Sequence, residues 1–172
     1  MHNPFYIPPP RLNRTDRRAL GLNIALFLGT VLAANGLVFG LGWSQVEHSA
    51  EPPSPYNVPG WLVGSIWLLL FIAMATARWR LNRAALHDER ALNARWWLGV
   101  LVVNCLLYPA YTLGLQSLTL GLLGNLFTIA LAGLVARLSW PHDRVAAGLV
   151  SAVVVWVSFA TYLIVGQLGW LH

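Results

Sequence analysis

The residues able to do chemistry are distributed in a telling way. Asp, Glu, Arg and His are absent from the interior of every long apolar segment, and the chain has no Lys at all. His2, His48, His87, His142 and His172 lie between or beyond those segments, and the single Cys105 stands alone inside one. A nucleophile–base pair, paired carboxylates or a metal cluster needs such groups to converge. Nothing in the spacing supplies them, so an enzyme is not expected. Ion-coupled transporters keep an ionisable residue at membrane depth, and intramembrane haem proteins need axial ligands there. Neither class is supported. A lone cysteine excludes a disulfide framework and a Cys-based metal site. What remains is neutral: nine Trp, and Asn23, Thr30, Asn35, Asn104, Tyr108, Asn125, Thr128, Ser158, Thr161 and Tyr162 within the apolar segments. Such side chains stack and hydrogen-bond, which is the chemistry of binding. For each of the polar ones the plain expectation is a hydrogen bond between helices.

The elements that must position these residues are membrane helices. The chain is 57% hydrophobic and 10% charged, far below the charge of soluble domains. Five segments reach the length of about 20 apolar residues that a span requires: 19–43, 61–78, 96–113, 118–136 and 145–167. The fold class is therefore an all-α integral membrane protein, a five-transmembrane-helix bundle. All eleven basic residues are Arg: four precede the first span, five fall in 78–95 and two in 137–144. None lies in 44–60, in 114–117 or after 167. This alternation predicts a cytoplasmic N-terminus and an external C-terminus. It also explains the net charge of +5 by the membrane surface rather than by nucleic acid. Residues 1–18, with three consecutive prolines and four Arg, read as a cytoplasmic arm against the headgroups, and 19–172 as the membrane domain. The first apolar segment is too long for a signal peptide and is expected to be retained. The Pro-rich external loop 44–60 could cap a cavity or simply join two helices. Segment 78–95 reads as a solvated extension of the second helix.

The second span, GWLVGSIWLLLFIAMATARW (60–79), carries three tryptophans. Trp61 and Trp79 are 18 residues apart, so they share a helix face and sit about 27 Å apart along the axis. That spacing suits two belt residues at opposite interfaces. Trp67 lies about 9 Å below Trp61 and is turned roughly 120° away, into the bundle. Gly64, Phe71 and Met74 share its face. In the last span Trp156, Phe159, Ala160 and Leu163 form a second stripe at helical spacing. Spacing leaves two readings open: tight helix packing, helped by the small-residue pair in GWLVG (60–64), or an apolar pocket wall for a planar ligand, while GLVFG (36–40) in the first span offers a close-packing surface for a partner or a dimer. Trp43, Trp96, Trp97, Trp140 and Trp170 fall at span ends, as belt residues do.

These stretches resemble the TspO/MBR family of tryptophan-rich sensory and translocator proteins. The family's second-helix pattern, P-P-x-W-V-F-G-P-V-W-x-x-L-Y-x-x-M-G-x-A-x-W, is matched in register by Pro59, Trp61, Gly64, Trp67, Leu70, Met74, Ala77 and Trp79. WVSFATYL (156–163) is similar to the fifth-helix W-x-x-F-A-x-x-L-N, and Asn104 followed by Pro109 to the third-helix L-N-x-x-W-x-P. Arg137 through Ala147 fits the junction of the fourth and fifth helices. The resemblance covers roughly residues 20–170.

It implies a non-enzymatic protein of the bacterial cytoplasmic membrane that binds a planar hydrophobic ligand, a tetrapyrrole such as a porphyrin, or another pigment or sterol-like lipid, in a sensory or regulatory role. The implied ligand residues are Tyr56, Trp61, Gly64, Trp67, Phe71, Asn104, Trp156, Phe159 and Ala160. Several family positions differ: Ser65 replaces a proline, Phe71 a tyrosine, Leu107 a tryptophan and Ile164 an asparagine. The alternative reading is an accessory subunit of a larger pigment–protein complex whose pocket has decayed. Its small-residue faces would meet a partner or a second copy in a homodimer.

Overall fold

The computed structural model describes residues 14–42, 58–85, 88–112 and 117–168, and these contain five helices and no strand. They are α1 (Arg14–Gly40), α2 (Gly60–Ala84), α3 (Glu89–Thr112), α4 (Leu118–Ser139) and α5 (Arg144–Gln167). Each is long and apolar enough to cross a membrane. The chain is thus an all-α, multi-pass integral membrane protein in contact with the lipid bilayer. Helix α1 already begins at Arg14, so residues 14–18 of the expected arm are helical, and residues 1–13 lie outside the described residues.

The helix ends follow local chemistry. Gly42 takes φ 73° just beyond α1, a left-handed conformation that glycine adopts without steric cost and that closes a helix. Segment 78–95 is not one extension of α2: α2 stops at Ala84 and α3 starts anew at Glu89. The Asp88 carboxylate accepts from the Arg90 backbone N–H at 2.9 Å, which favours a fresh helix start there. Ser117 caps α4 by accepting from Leu120 N–H. Asp143 caps α5 by accepting from Ala146 N–H at 2.9 Å. Pro109 removes one N–H from the last turns of α3, where few intrahelical bonds depend on it.

Helices α2, α3, α4 and α5 pack in a ring, each on the next, with α5 closing back on α2. Helix α1 packs on α2 and touches α3. The core contains Met74, Leu81, Leu98, Leu101, Val135, Val150 and Val153, with Ala75, Ala77, Ala94, Ala132 and Ala146 where helices approach closely. In lipid such association rests on van der Waals fit and interhelical hydrogen bonds, so small residues at the seams matter more than bulk.

The Arg-rich end is pinned by polar bonds. Arg80 makes a two-point pair to Asp143, at 2.8 and 3.0 Å, tying α2 to the start of α5. His142 Nδ1 meets Asp88 at 2.8 Å, linking the α4–α5 corner to the start of α3. Arg95 donates to Asn82 (3.0 Å) and Arg78 to Asn23 (2.9 Å). Asn23 in turn donates to the Ala75 carbonyl, so it makes the expected interhelical bond. Trp79 departs from expectation. It is only 7% exposed, buried beneath Arg83, whose guanidinium lies 5.1 Å from its ring. It is a packed residue of the pinned end rather than a lipid-facing belt residue. Trp96, Trp97 and Trp140 are exposed near helix ends, and Trp43 and Trp170 lie outside the described residues.

Candidate ligand-binding site

Trp67 faces the bundle. It is half-buried and packs on the core, with its ring centroid 6.0 Å from Phe71 one turn along α2 and 6.2 Å from Tyr108 on α3. Both ring pairs are tilted, a favourable aromatic geometry. Trp156 on α5 is also half-buried against the core, 5.7 Å from Phe159.

The pins at the Arg-rich end set the relative heights of the two tryptophans. The Arg80–Asp143 pair places residues 80 and 143 at one level on antiparallel helices. Thirteen residues from each pin lead to Trp67 on α2 and to Trp156 on α5. At 1.5 Å per residue both lie about 20 Å from the pinned end. Trp67, with Tyr108 against it, and Trp156 therefore stand at similar heights in the far half of the bundle, an aromatic layer by height.

The remaining sequence-derived site residues divide by position. Phe71 is buried under Trp67 and supports it. Ala160 is half-buried one turn beyond Trp156. Asn104 donates to Thr128 Oγ1 at 2.8 Å, and that hydroxyl donates to the Gly124 carbonyl at 2.7 Å. The Asn104 amide N–H is thus engaged in joining α3 to α4. Trp61 (74% exposed) and Phe159 (46% exposed) turn away from the bundle. Gly64 is exposed, and a Cβ added there would meet no atom within 4 Å. The same holds for Gly36, Gly40 and Gly60, so none of the described helices packs against either small-residue pair. Tight packing within the chain is not what those glycines serve. Tyr56 lies outside the described residues.

Two residues of the layer's surroundings escaped the sequence-derived site. Tyr108 follows Asn104 by one helical turn and shares its face, a spacing that could have placed it. Asn125 was expected to bond between helices. Instead it is 1% exposed, and its Nδ2 has no hydrogen-bond partner. An unmet buried donor costs about 1–3 kcal/mol, and at membrane depth no bulk water relieves it.

A separate apolar cavity of about 160 Å³ lies between α1 and α3, walled by Leu37, Val38, Leu106 and Leu107. It is well under the roughly 300 Å³ of a small-molecule pocket and has no polar anchor. It is not the site.

A ring of membrane-length helices with aromatic side chains gathered in one half is the architecture of a polytopic membrane protein. The model of the TspO/MBR family matches residues 24–170, nearly the whole chain, and the protein belongs to that family. Comparison with individual curated proteins gives no match.

Proposed function

We propose that the protein is a non-enzymatic receptor for a planar hydrophobic ligand of tetrapyrrole type, held in the layer of Trp67, Tyr108 and Trp156, with a sensory or regulatory role. The observation that carries this reading is the pair of half-buried tryptophans at one height on packed helices, Trp67 and Trp156. Aromatic faces at that depth offer stacking surface in an apolar setting. The positive-inside pattern orients the Arg-rich end to the cytoplasm and the aromatic layer toward the external half of a bacterial cytoplasmic membrane. Titration of the purified protein with protoporphyrin, followed by tryptophan quenching, tests the reading. Saturable quenching that weakens in Trp67→Ala is expected; its absence in the unaltered protein would sink the proposal.

A second reading is favoured by the open glycines of α1. Gly36 and Gly40 are exposed on a helix whose outer face also presents Leu22, Leu26, Leu32 and Leu37. Such a face suits a homodimer or a partner subunit in a membrane complex. Native mass spectrometry after gentle solubilisation separates the two: a heteromeric complex that binds no porphyrin supports the accessory role.

A further inference from the structure

Asn125 belongs to the height of the aromatic layer. The Asp143 N–H donates to the Ser139 carbonyl at 2.8 Å, which sets residue 139 of α4 level with the same pin that fixed Trp67 and Trp156. Fourteen residues back along α4 lead from Ser139 to Asn125, again about 20 Å from the pinned end. The third helix agrees. The Asn104–Thr128 bond fixes the register of α3 against α4, and one turn beyond it come Tyr108 on α3 and Asn125 on α4. Tyr108 is the residue whose ring meets Trp67. Asn125 also lies on the inward face of its helix, in line with Gly121, Thr128, Ala132 and Val135, all buried.

Its Nδ2 is the one buried side-chain nitrogen or oxygen without a hydrogen-bond partner among the described residues. The neighbouring Asn104 amide already gives one N–H to Thr128, whereas the Asn125 Nδ2 gives none. A buried donor left unpaired at the height of two half-buried tryptophans is arranged for an acceptor that arrives from outside the chain.

We infer that Asn125 is the polar anchor of the ligand layer: its amide N–H donates to a carboxylate or carbonyl oxygen on the edge of the planar molecule whose face rests on the tryptophans. The inference rests on the ligand-binding reading above and adds to it the chemical class of the ligand, a flat apolar ring system bearing an acceptor at its rim. A wholly hydrocarbon ring would leave the donor as unpaired as before.

The test uses the full-length protein in lipid nanodiscs and two porphyrins of similar size. Protoporphyrin IX carries two propionates, and octaethylporphyrin carries only alkyl groups. Asn125→Leu should weaken protoporphyrin binding about tenfold and leave octaethylporphyrin within about twofold. The ligand-free variant should also melt at or above the temperature of the unaltered protein, because an unpaired buried amide has been replaced by an apolar group. Asn125→Ala repeats the binding comparison without a branched side chain and carries the test if the leucine variant does not fold. Equal weakening for both porphyrins, or no weakening for either, overturns the anchor while leaving the tryptophan site in place. A lower melting temperature in both variants also overturns it, since the amide would then be satisfied in the free protein. If the unaltered protein binds neither porphyrin, the ligand-binding reading falls and the anchor with it.

Discussion

Trp61 and Trp79 share one face of one helix, yet Trp61 is 74% exposed and Trp79 only 7%. The contrast belongs to the two ends of the bundle. At the Arg-rich end, Arg80–Asp143, His142–Asp88, Arg95–Asn82 and Arg78–Asn23 tie α1, α2, α3 and α5 together, and Trp79 is sealed under Arg83. In the far half, Gly64 faces open space, Phe159 turns outward and the tryptophans of the layer stay half-buried. One end is closed by charge and hydrogen bonding. The other keeps aromatic surface in reserve. On the proposed reading, stability and binding belong to different halves of the same helices.

Substitutions can break that division, and the largest effect is expected at Trp79. Trp79→Ala empties a buried site and should cost about 3 kcal/mol of stability, read by thermal unfolding in nanodiscs. Asp143→Ala removes the cap of α5 and the partner of Arg80 together, with an expected loss of about 2 kcal/mol. Neither should change the affinity of the folded fraction for protoporphyrin by more than about twofold; a larger change would show that the two ends are coupled. Trp67→Ala should do the reverse, lowering affinity about tenfold through lost stacking, measured by quenching of the remaining tryptophans. The Asn125 variants sharpen the contrast further, since removal of a polar group at the far half should raise stability rather than lower it. Trp61→Ala is the smallest case. It is expected to shift stability by no more than about 0.5 kcal/mol, because the side chain makes little contact with the bundle. A loss as large as that of Trp79→Ala would erase the distinction between the ends.

The number and order of the five helices could be read from apolar length and the placement of Arg, although α1, α2 and α3 run five to seven residues past the apolar segments at their Arg-rich ends. The start of α3 at Glu89 could not, since mixed charge over 78–95 suits one long helix as well as two; the cap at Asp88 decides between them. Trp67 was legible as inward because its angle from Trp61 follows from helix geometry alone. Phe159 shows the complementary case: a stripe at helical spacing gives a shared face with Trp156, and only the neighbouring helices determine that Phe159 stays 46% exposed. The GWLVG pair suits a packing seam, yet a seam needs a partner, and no described atom stands within 4 Å of a Cβ added at Gly60 or Gly64.

Asn125 marks the limit most clearly. Every intramembrane Asn looks alike in sequence. Asn23 finds the Ala75 carbonyl, Asn104 finds Thr128, and the Asn125 Nδ2 finds nothing. The sequence by itself determined that this is a five-helix membrane protein, the sidedness of its charge, its family likeness and the inward turn of Trp67. Hydropathy and helical periodicity act locally, so one strand of text suffices to read them. Tertiary structure decided which tryptophan of a shared face is buried, which polar groups pair and which amide is left with a free donor. Those outcomes depend on the register between helices, set at the far end of the molecule by a few charge-assisted hydrogen bonds whose partners lie 55 to 63 residues apart.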